Sequence, residues 1–260
     1  LKIALFSDIH ANLPALEAIS SDMEKRRPDA VYCLGDLVGY APWPNEVIAE
    51  IRRRGIPTIA GNYDQGIGLH SDDCGCAYKT DEEKEMGAIS ISFTNELVSD
   101  DARHYLKTLP AHLMVKFDPG VEKFNLLLVH GSPRKINEYL FEDRPDAGFL
   151  RMMQQADADI MAFGHTHKPY YKELIEESVN GKRYRHAINI GSVGKPKDGD
   201  PRGCYTMLEV NENTGMQTSG SMKVELIRVK YDVEKAAKAV EASSLPSEYA
   251  DMLRKGYQTI

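Results

Sequence analysis

Lys2-Ile3-Ala4-Leu5-Phe6-Ser7-Asp8-Ile9-His10 is the stretch whose pattern decides the fold. Its first five residues are a short, nearly continuous apolar run, which predicts a buried strand. Asp8 and His10 then fall just beyond the carboxyl end of that strand. Downstream, Pro14–Arg26 carries Leu16, Ile19 and Met23 at helical spacing, and Ala30–Leu34 returns to a strand. The opening is therefore a βαβ unit. Pro44–Arg54 predicts a second helix, with Pro44 suited to its first turn, and Ile56–Ala60 a third strand. Right-handed crossovers would make the three strands parallel.

Beyond Gly61 the pattern changes. A Gly- and Asp-rich loop carries His70 through Cys76, and helical stretches follow at Asp81–Leu97 and Asp100–Leu109. The segment at about 64–110 reads as a helical cap inserted into one domain spanning residues 1–260. Strand-like runs resume at His112–Phe117, Lys123–Val129, Ile160–Phe163, Tyr170–Leu174, His186–Ile190, Tyr205–Val210 and Val224–Val229. A helix is expected near Ala147–Gln155 and a helical tail over Asp232–Ala242. So many strands predict an α/β fold of two stacked β-sheets, a double-sheet sandwich flanked by helices, and no internal repeat is visible.

The chain of 260 residues has a formal net charge of -7, which argues against a broad basic face for nucleic acid. A small anionic substrate remains compatible, because surface charge is screened over about 8 Å at physiological salt. No apolar run approaches the roughly 20 residues needed to span a bilayer. The chain opens into a strand rather than a signal core, and Cys33, Cys74, Cys76 and Cys204 are too few and scattered for a disulfide framework. A cytoplasmic protein, without membrane contact, is the expectation.

The informative feature is where acids and histidines fall. Asp8 and His10, Asp36, Asn62, His130, and His165 with His167 each follow the carboxyl end of a predicted strand. In an open α/β sheet those ends face one crevice. Any one of these residues alone is ordinary turn or core chemistry. All of them, in order and each after a strand, are hard to explain that way.

As an ordered set, Asp8-Ile9-His10, Gly35-Asp36, Gly61-Asn62, His130-Gly131 and Gly164-His165-Thr166-His167 resembles the calcineurin-like metallophosphoesterase superfamily, and Asn189-Ile190-Gly191-Ser192 is similar to that family's loop after a later strand. The family's sandwich fold agrees with the strand count. The resemblance implies that Asp8, His10, Asp36 and His167 hold one divalent ion, that Asp36, Asn62, His130 and His165 hold another, and that Asp36 bridges. Imidazoles and carboxylates suit manganese, iron, zinc or nickel. Two such ions bring four positive charges against three negative from Asp8, Asp36 and a bridging hydroxide, leaving a net positive centre for a phosphate. Ions roughly 3.5–4 Å apart lower the pKa of a bridging water, so direct attack of a metal-bridging hydroxide is the implied chemistry. Asp36, Asn62, Tyr63 and His130 are the expected catalytic positions.

One departure stands out. The family pattern has histidine after Gly-Asn, but this chain reads Gly61-Asn62-Tyr63-Asp64. A phenol with a pKa near 10 is a poor proton donor at neutral pH, so good leaving groups are favoured. The expected substrate is a small phosphodiester or phosphoanhydride, including nucleotides. The alternatives are a phosphomonoesterase of the protein-phosphatase kind and a non-catalytic metal-binding scaffold of the same fold.

Weaker candidates surround this set. Tyr40, in Tyr40-Ala41-Pro42-Trp43, offers an aromatic face for a base, against the plainer expectation of a packed loop. Arg134 is the best-placed phosphate contact, ahead of Lys135, Lys168 and Lys195, for which solvated surface charge is the default. Tyr63 is a further substrate contact, His70 in the cap a further proton donor, and Cys74 and Cys76 are expected to line or cap the cleft.

Overall fold

A computed structural model describes residues 1–120, 122–179 and 181–257. The chain runs β1 (Lys2–Phe6), α1 (Leu13–Arg26), β2 (Ala30–Cys33) and α2 (Pro44–Arg53), then α3 (Asn62–Gly68), α4 (Asp81–Leu97) and α5 (Asp100–Thr108). It continues through β3 (His112–Phe117), β4 (Phe124–Val129), α6 (Asp146–Gln155), β5 (Ile160–Phe163), β6 (Tyr170–Ser178) and β7 (Gly181–Asn189). β8 (Gly203–Glu209), β9 (Lys223–Val229), α7 (Val233–Glu241) and α8 (Glu248–Lys255) complete it.

Two sheets form, one of four strands in the order β2-β1-β8-β9 and one of five in the order β3-β4-β5-β7-β6. β1 and β2 are parallel, as are β4 with β5 and β5 with β7. The sheets stack because alternate residues of each strand point to opposite faces. Ile3 and Leu5 of β1 meet Leu126, Leu128, Ile160 and Ile188 of the other sheet in the inner core. Ala4 and Phe6 point outward and pack under Leu16 and Ile19 of α1 and Val47 and Ile51 of α2. On the far side, Leu127, Met161 and Phe163 pack against Phe149, Met152 and Met153 of α6. This is the expected α/β double-sheet sandwich between helical layers.

Four local expectations are corrected. The third strand at Ile56–Ala60 reduces to a single parallel bridge from Cys33 to Thr58. Cys33 N–H donates to Pro57 O and Ile59 N–H to Cys33 O, but Pro57 has no N–H to extend the ladder. The loop after Gly61 begins instead as helix α3, whose first turn is held by the Asp64 carboxylate accepting from Gly61 N–H at 2.9 Å. Finally, β6 and β7 form a longer hairpin than expected, and α8 adds a helix beyond the predicted tail. In the 64–110 segment, Ile91 of α4, Val98, and Ala102 and Leu106 of α5 join the core that holds Tyr63 and Ile67.

Candidate metal centre

The side chains of Asp8, His10, Asp36, Asn62, His130, His165 and His167 are all brought to one place, and each is at most 3% exposed. Asp8 and His10 leave β1, Asp36 leaves the turn after β2, His130 leaves β4 and the histidine pair leaves β5. Asn62 opens α3.

The loops that carry them are strained. Asp8, His10, Asp36, His165 and His167 have positive φ, between 50° and 65°, a region non-glycine residues seldom occupy. Such residues cost about 1–3 kcal/mol each and persist only where their surroundings hold them. Here those surroundings are cross-loop backbone hydrogen bonds. Asp8 N–H donates to Gly35 O at 2.9 Å, His10 N–H to Asp36 O at 3.0 Å and Gly194 N–H to Asp8 O at 3.0 Å. The Asn189-Ile190-Gly191-Ser192 loop closes the frame. Ser192 Oγ donates to Asp8 O at 2.8 Å, and Asn189 Nδ2 donates to Thr166 Oγ1 at 2.8 Å.

The glycines preceding the ligands have a packing reason. A Cβ on Gly61 would lie 2.1 Å from Asp36 Oδ1, and one on Gly164 would lie 2.4 Å from Asp8 Oδ2. Both glycines let a carboxylate settle against backbone.

Six of the seven side chains, all but His165, are oriented by a second partner. His10 Nδ1 donates to Val38 O at 3.0 Å, His130 Nδ1 to Leu34 O at 2.8 Å and His167 Nδ1 to Lys195 O at 2.5 Å. A carbonyl can only accept, so these bonds fix the Nδ1–H tautomer of a neutral ring and turn Nε2 inward. Asp8 Oδ2 accepts His165 N–H at 3.1 Å, and Asp36 Oδ1 accepts Tyr63 N–H at 2.8 Å. Asn62 Nδ2 donates to Cys74 O at 2.8 Å, leaving Oδ1 3.1 Å from His130 Nε2.

What remains is a cluster of donor atoms that want a cation. His10 Nε2 and His167 Nε2 face each other at 3.1 Å. Asp8 Oδ1 lies 3.2 Å from His167 Nε2, and Asp36 Oδ2 lies 3.3 Å from His130 Nε2 and 3.6 Å from His10 Nε2. Asp8 Oδ1 and His165 Nε2 are buried without any hydrogen-bond partner. Two groups have metal-ligand spacing, Asp8 with His10 and His167, and Asp36 with His130 and His165. Buried lone pairs left unmatched are costly, and the donor set fits borderline divalent ions.

The electrostatics agree. Burial holds His10 and His165 down to about 3, and holds His167 well below its ordinary range, so all three are neutral as ligands must be. His130 differs. Burial opposes its charge, but the field and hydrogen bond of Asp36, with Asp8 and the Leu34 carbonyl, together lift it to about 10. In the metal-free protein an imidazolium therefore serves as counter-charge to Asp36.

The surrounding candidates divide. Tyr40 stands edge-on to His10, with ring centroids 4.8 Å apart, and Tyr63 is buried with its ring against Gly39. Cys76 Sγ lies 3.5 Å from Asn62 Nδ2. Arg134 is half exposed and its guanidinium is engaged by Glu138. Lys168 and His70 are exposed, whereas Lys195 is 6% exposed and therefore not the solvated charge its residue type suggested. Lys197, and Tyr139 with its ring tilted 42° and centred 4.2 Å from the His165 ring, escape the sequence reading; neither belongs to a motif or follows a strand directly.

Known proteins resemble this chain over nearly its whole length. The chain is 31% identical over 267 residues to an uncharacterized protein of Methanocaldococcus jannaschii, covering 98% of both chains. Among solved structures it resembles a metallophosphoesterase from Sphaerobacter thermophilus, with 27% identity, a TM-score of 0.71, and 98% of this chain and 99% of that one covered. A hypothetical protein from Pyrococcus horikoshii shares the fold at 23% identity and a TM-score of 0.77, over 99% of each chain. The sequence pattern of the calcineurin-like phosphoesterase superfamily domain matches residues 1–213. With a sandwich fold and two groups of metal-ligating side chains at the strand ends, the chain belongs to the calcineurin-like phosphoesterase superfamily.

Proposed function

We propose that this protein is a binuclear metal-dependent phosphoesterase that hydrolyses phosphodiester or phosphoanhydride bonds of small, nucleotide-like substrates. The observation that carries this is the pair of buried ligand groups, whose inward Nε2 and carboxylate oxygens include atoms with no protein partner. Asp8, His10, Asp36 and His167 would hold one ion and Asp36, Asn62, His130 and His165 the other, with manganese, iron, zinc or nickel suited to the set. Such ions supply Lewis acidity and lower the pKa of a bound water.

The protein's own residues set the selectivity. Tyr63 stands where a histidine would donate a proton, and burial pushes its phenol well above the usual range. It cannot serve as an efficient general acid at neutral pH. Substrates whose leaving groups need little protonation are therefore favoured over alkyl monoesters. The retention of all seven ligand positions favours an enzyme over a scaffold. Residues 64–110 act as the cap of this single domain. The free cysteines suit a reducing, cytoplasmic setting, and among the described residues no helix is long and apolar enough to cross a membrane.

The test is hydrolysis of an aryl phosphodiester, an aryl monoester and a dinucleoside tetraphosphate, after chelation and readdition of each metal, with Asp36→Ala as control. Metal-dependent diester or anhydride cleavage that the substitution abolishes is expected. Bound metal without turnover of any substrate would leave only a scaffold.

A further inference from the structure

Beside the metal centre lies a narrow polar pocket lined by Tyr40, Cys76, Tyr78, Tyr139, Lys195, Lys197 and Tyr249, with Glu83 and Met86 of α4 on one side. Three of its walls touch metal-ligand candidates. Tyr40 packs on His10, Cys76 on Asn62 and Tyr139 on His165. The pocket and the centre are thus two parts of one cleft.

Its chemistry is unusual for a protein interior. Lys195 Nζ sits 4.1 Å from the centroid of the Tyr40 ring and 5.3 Å from that of Tyr249, a position that steadies a cation without neutralising it. Glu83 and the Cys76 thiol, on the same pocket wall, favour charge on both Lys195 and Lys197. The Glu83 carboxylate also accepts Lys79 N–H at 2.6 Å, just ahead of Thr80, the N-cap of α4. The Tyr249 hydroxyl is buried with no hydrogen-bond partner. Burial, reinforced for Lys195 by Lys197, disfavours charge on both ammoniums. An anionic ligand between these two buried lysines and the unpartnered Tyr249 hydroxyl would favour their charged forms and give the hydroxyl an acceptor.

We propose that Lys195, Lys197 and Tyr249 form a subsite for a second phosphate, so that the substrate places one phosphoryl group at the metal centre and an adjoining one in this pocket. This rests on the phosphoesterase assignment above and narrows it to phosphoanhydrides or bis-phosphorylated compounds. The backbone carbonyl of Lys195 accepts from His167 Nδ1, so the lysine side chain and the ligand loop are held together.

The test compares binding of pyrophosphate and orthophosphate by calorimetry to the full chain, with manganese in excess over protein and ligand. Pyrophosphate is expected to bind more tightly by about tenfold or more, and Lys197→Met and Lys195→Met should each cut that ratio by about tenfold. Lys197→Arg, which keeps the charge, should retain most of it. No preference for pyrophosphate in the unsubstituted protein would overturn the subsite. So would equal weakening of both ligands in the methionine variants, which marks only a general field. A charge-dependent preference for pyrophosphate without hydrolysis of any phosphoester would uphold the subsite and remove the hydrolase assignment.

Discussion

The Asp36 carboxylate is anchored to the backbone of Tyr63, accepting its N–H through Oδ1 at 2.8 Å, so that Oδ2 alone turns toward His130 and His10. One residue thereby ties the turn after β2 to the first turn of α3. Its partner, Asp64, makes the reverse connection by accepting Leu37 N–H at 2.8 Å. The centre depends on this mutual clamp between two loops.

Gly61→Ala should break the clamp without removing any ligand. The new Cβ would stand 2.1 Å from Asp36 Oδ1 and 2.3 Å from Asp36 N, so the carboxylate must move. Displacement of about 1 Å at a reacting centre costs about a hundredfold in rate. Turnover should fall by that order while the circular dichroism spectrum stays native. Unchanged activity would show that the position of Asp36 does not matter.

Tyr63→His restores a proton donor beside Asn62. Turnover should rise by about tenfold or more for substrates with alkyl leaving groups and change little for aryl ones. A leaving-group series measured in both proteins checks this, and a uniform loss across the series would sink it.

Metal loading should release protons. Below about 10, His130 in the metal-free protein is protonated, because Asp36, Asp8 and the Leu34 carbonyl together overcome burial. A ligand imidazole must be neutral, so the ion displaces that proton and affinity rises as pH rises toward about 10. His10 and His165, already held near about 3 by burial, contribute none near neutrality. Calorimetry of manganese binding at neutral pH, in two buffers of different ionisation enthalpy, should give at least about one proton released. Zero release would contradict the assignment of His130 as a ligand.

Asn12→Ala tests how the ligand loop after β1 is tied down. Asn12 Oδ1 caps α1 by accepting Ala15 N–H at 3.2 Å, while Nδ2 donates to Gly194 O at 2.9 Å and to Tyr231 Oη at 3.2 Å. Losing a cap and two buried bonds should cost about 2–3 kcal/mol. For a chain of this size that lowers Tm by about 5–10 °C. A melt within a degree of the parent would mean that water replaces the amide fully.

Most strands and helices were legible because their apolar residues repeat with the period of the element, as in Lys2–Phe6 and Asp81–Leu97. Where a single residue overrode the pattern, the reading failed. Pro57 removed a donor and reduced a strand to a bridge, and Asp64 capped a Gly-rich stretch into α3. Arg134, close to His130 in sequence, spends its guanidinium on Glu138 four residues away. Proximity along the chain said nothing of that competition.

By itself the sequence determined the α/β sandwich and the candidate ligands, since Asp8, His10, Asp36, Asn62, His130, His165 and His167 each lie at a place where the chain leaves a strand or a short extended segment. Strand ends converge in any sheet of this kind, whatever the side chains between them. Only the tertiary structure decided which way each ligand faces, through carbonyls such as Val38, Leu34 and Lys195 that hold the Nδ1 atoms. It alone also decided that Lys195 is buried over Tyr40 beside Lys197 and Tyr249. Those relationships join loops from opposite ends of the chain, and no local period or motif encodes the distance between residues that meet only when the two sheets and their helices have packed.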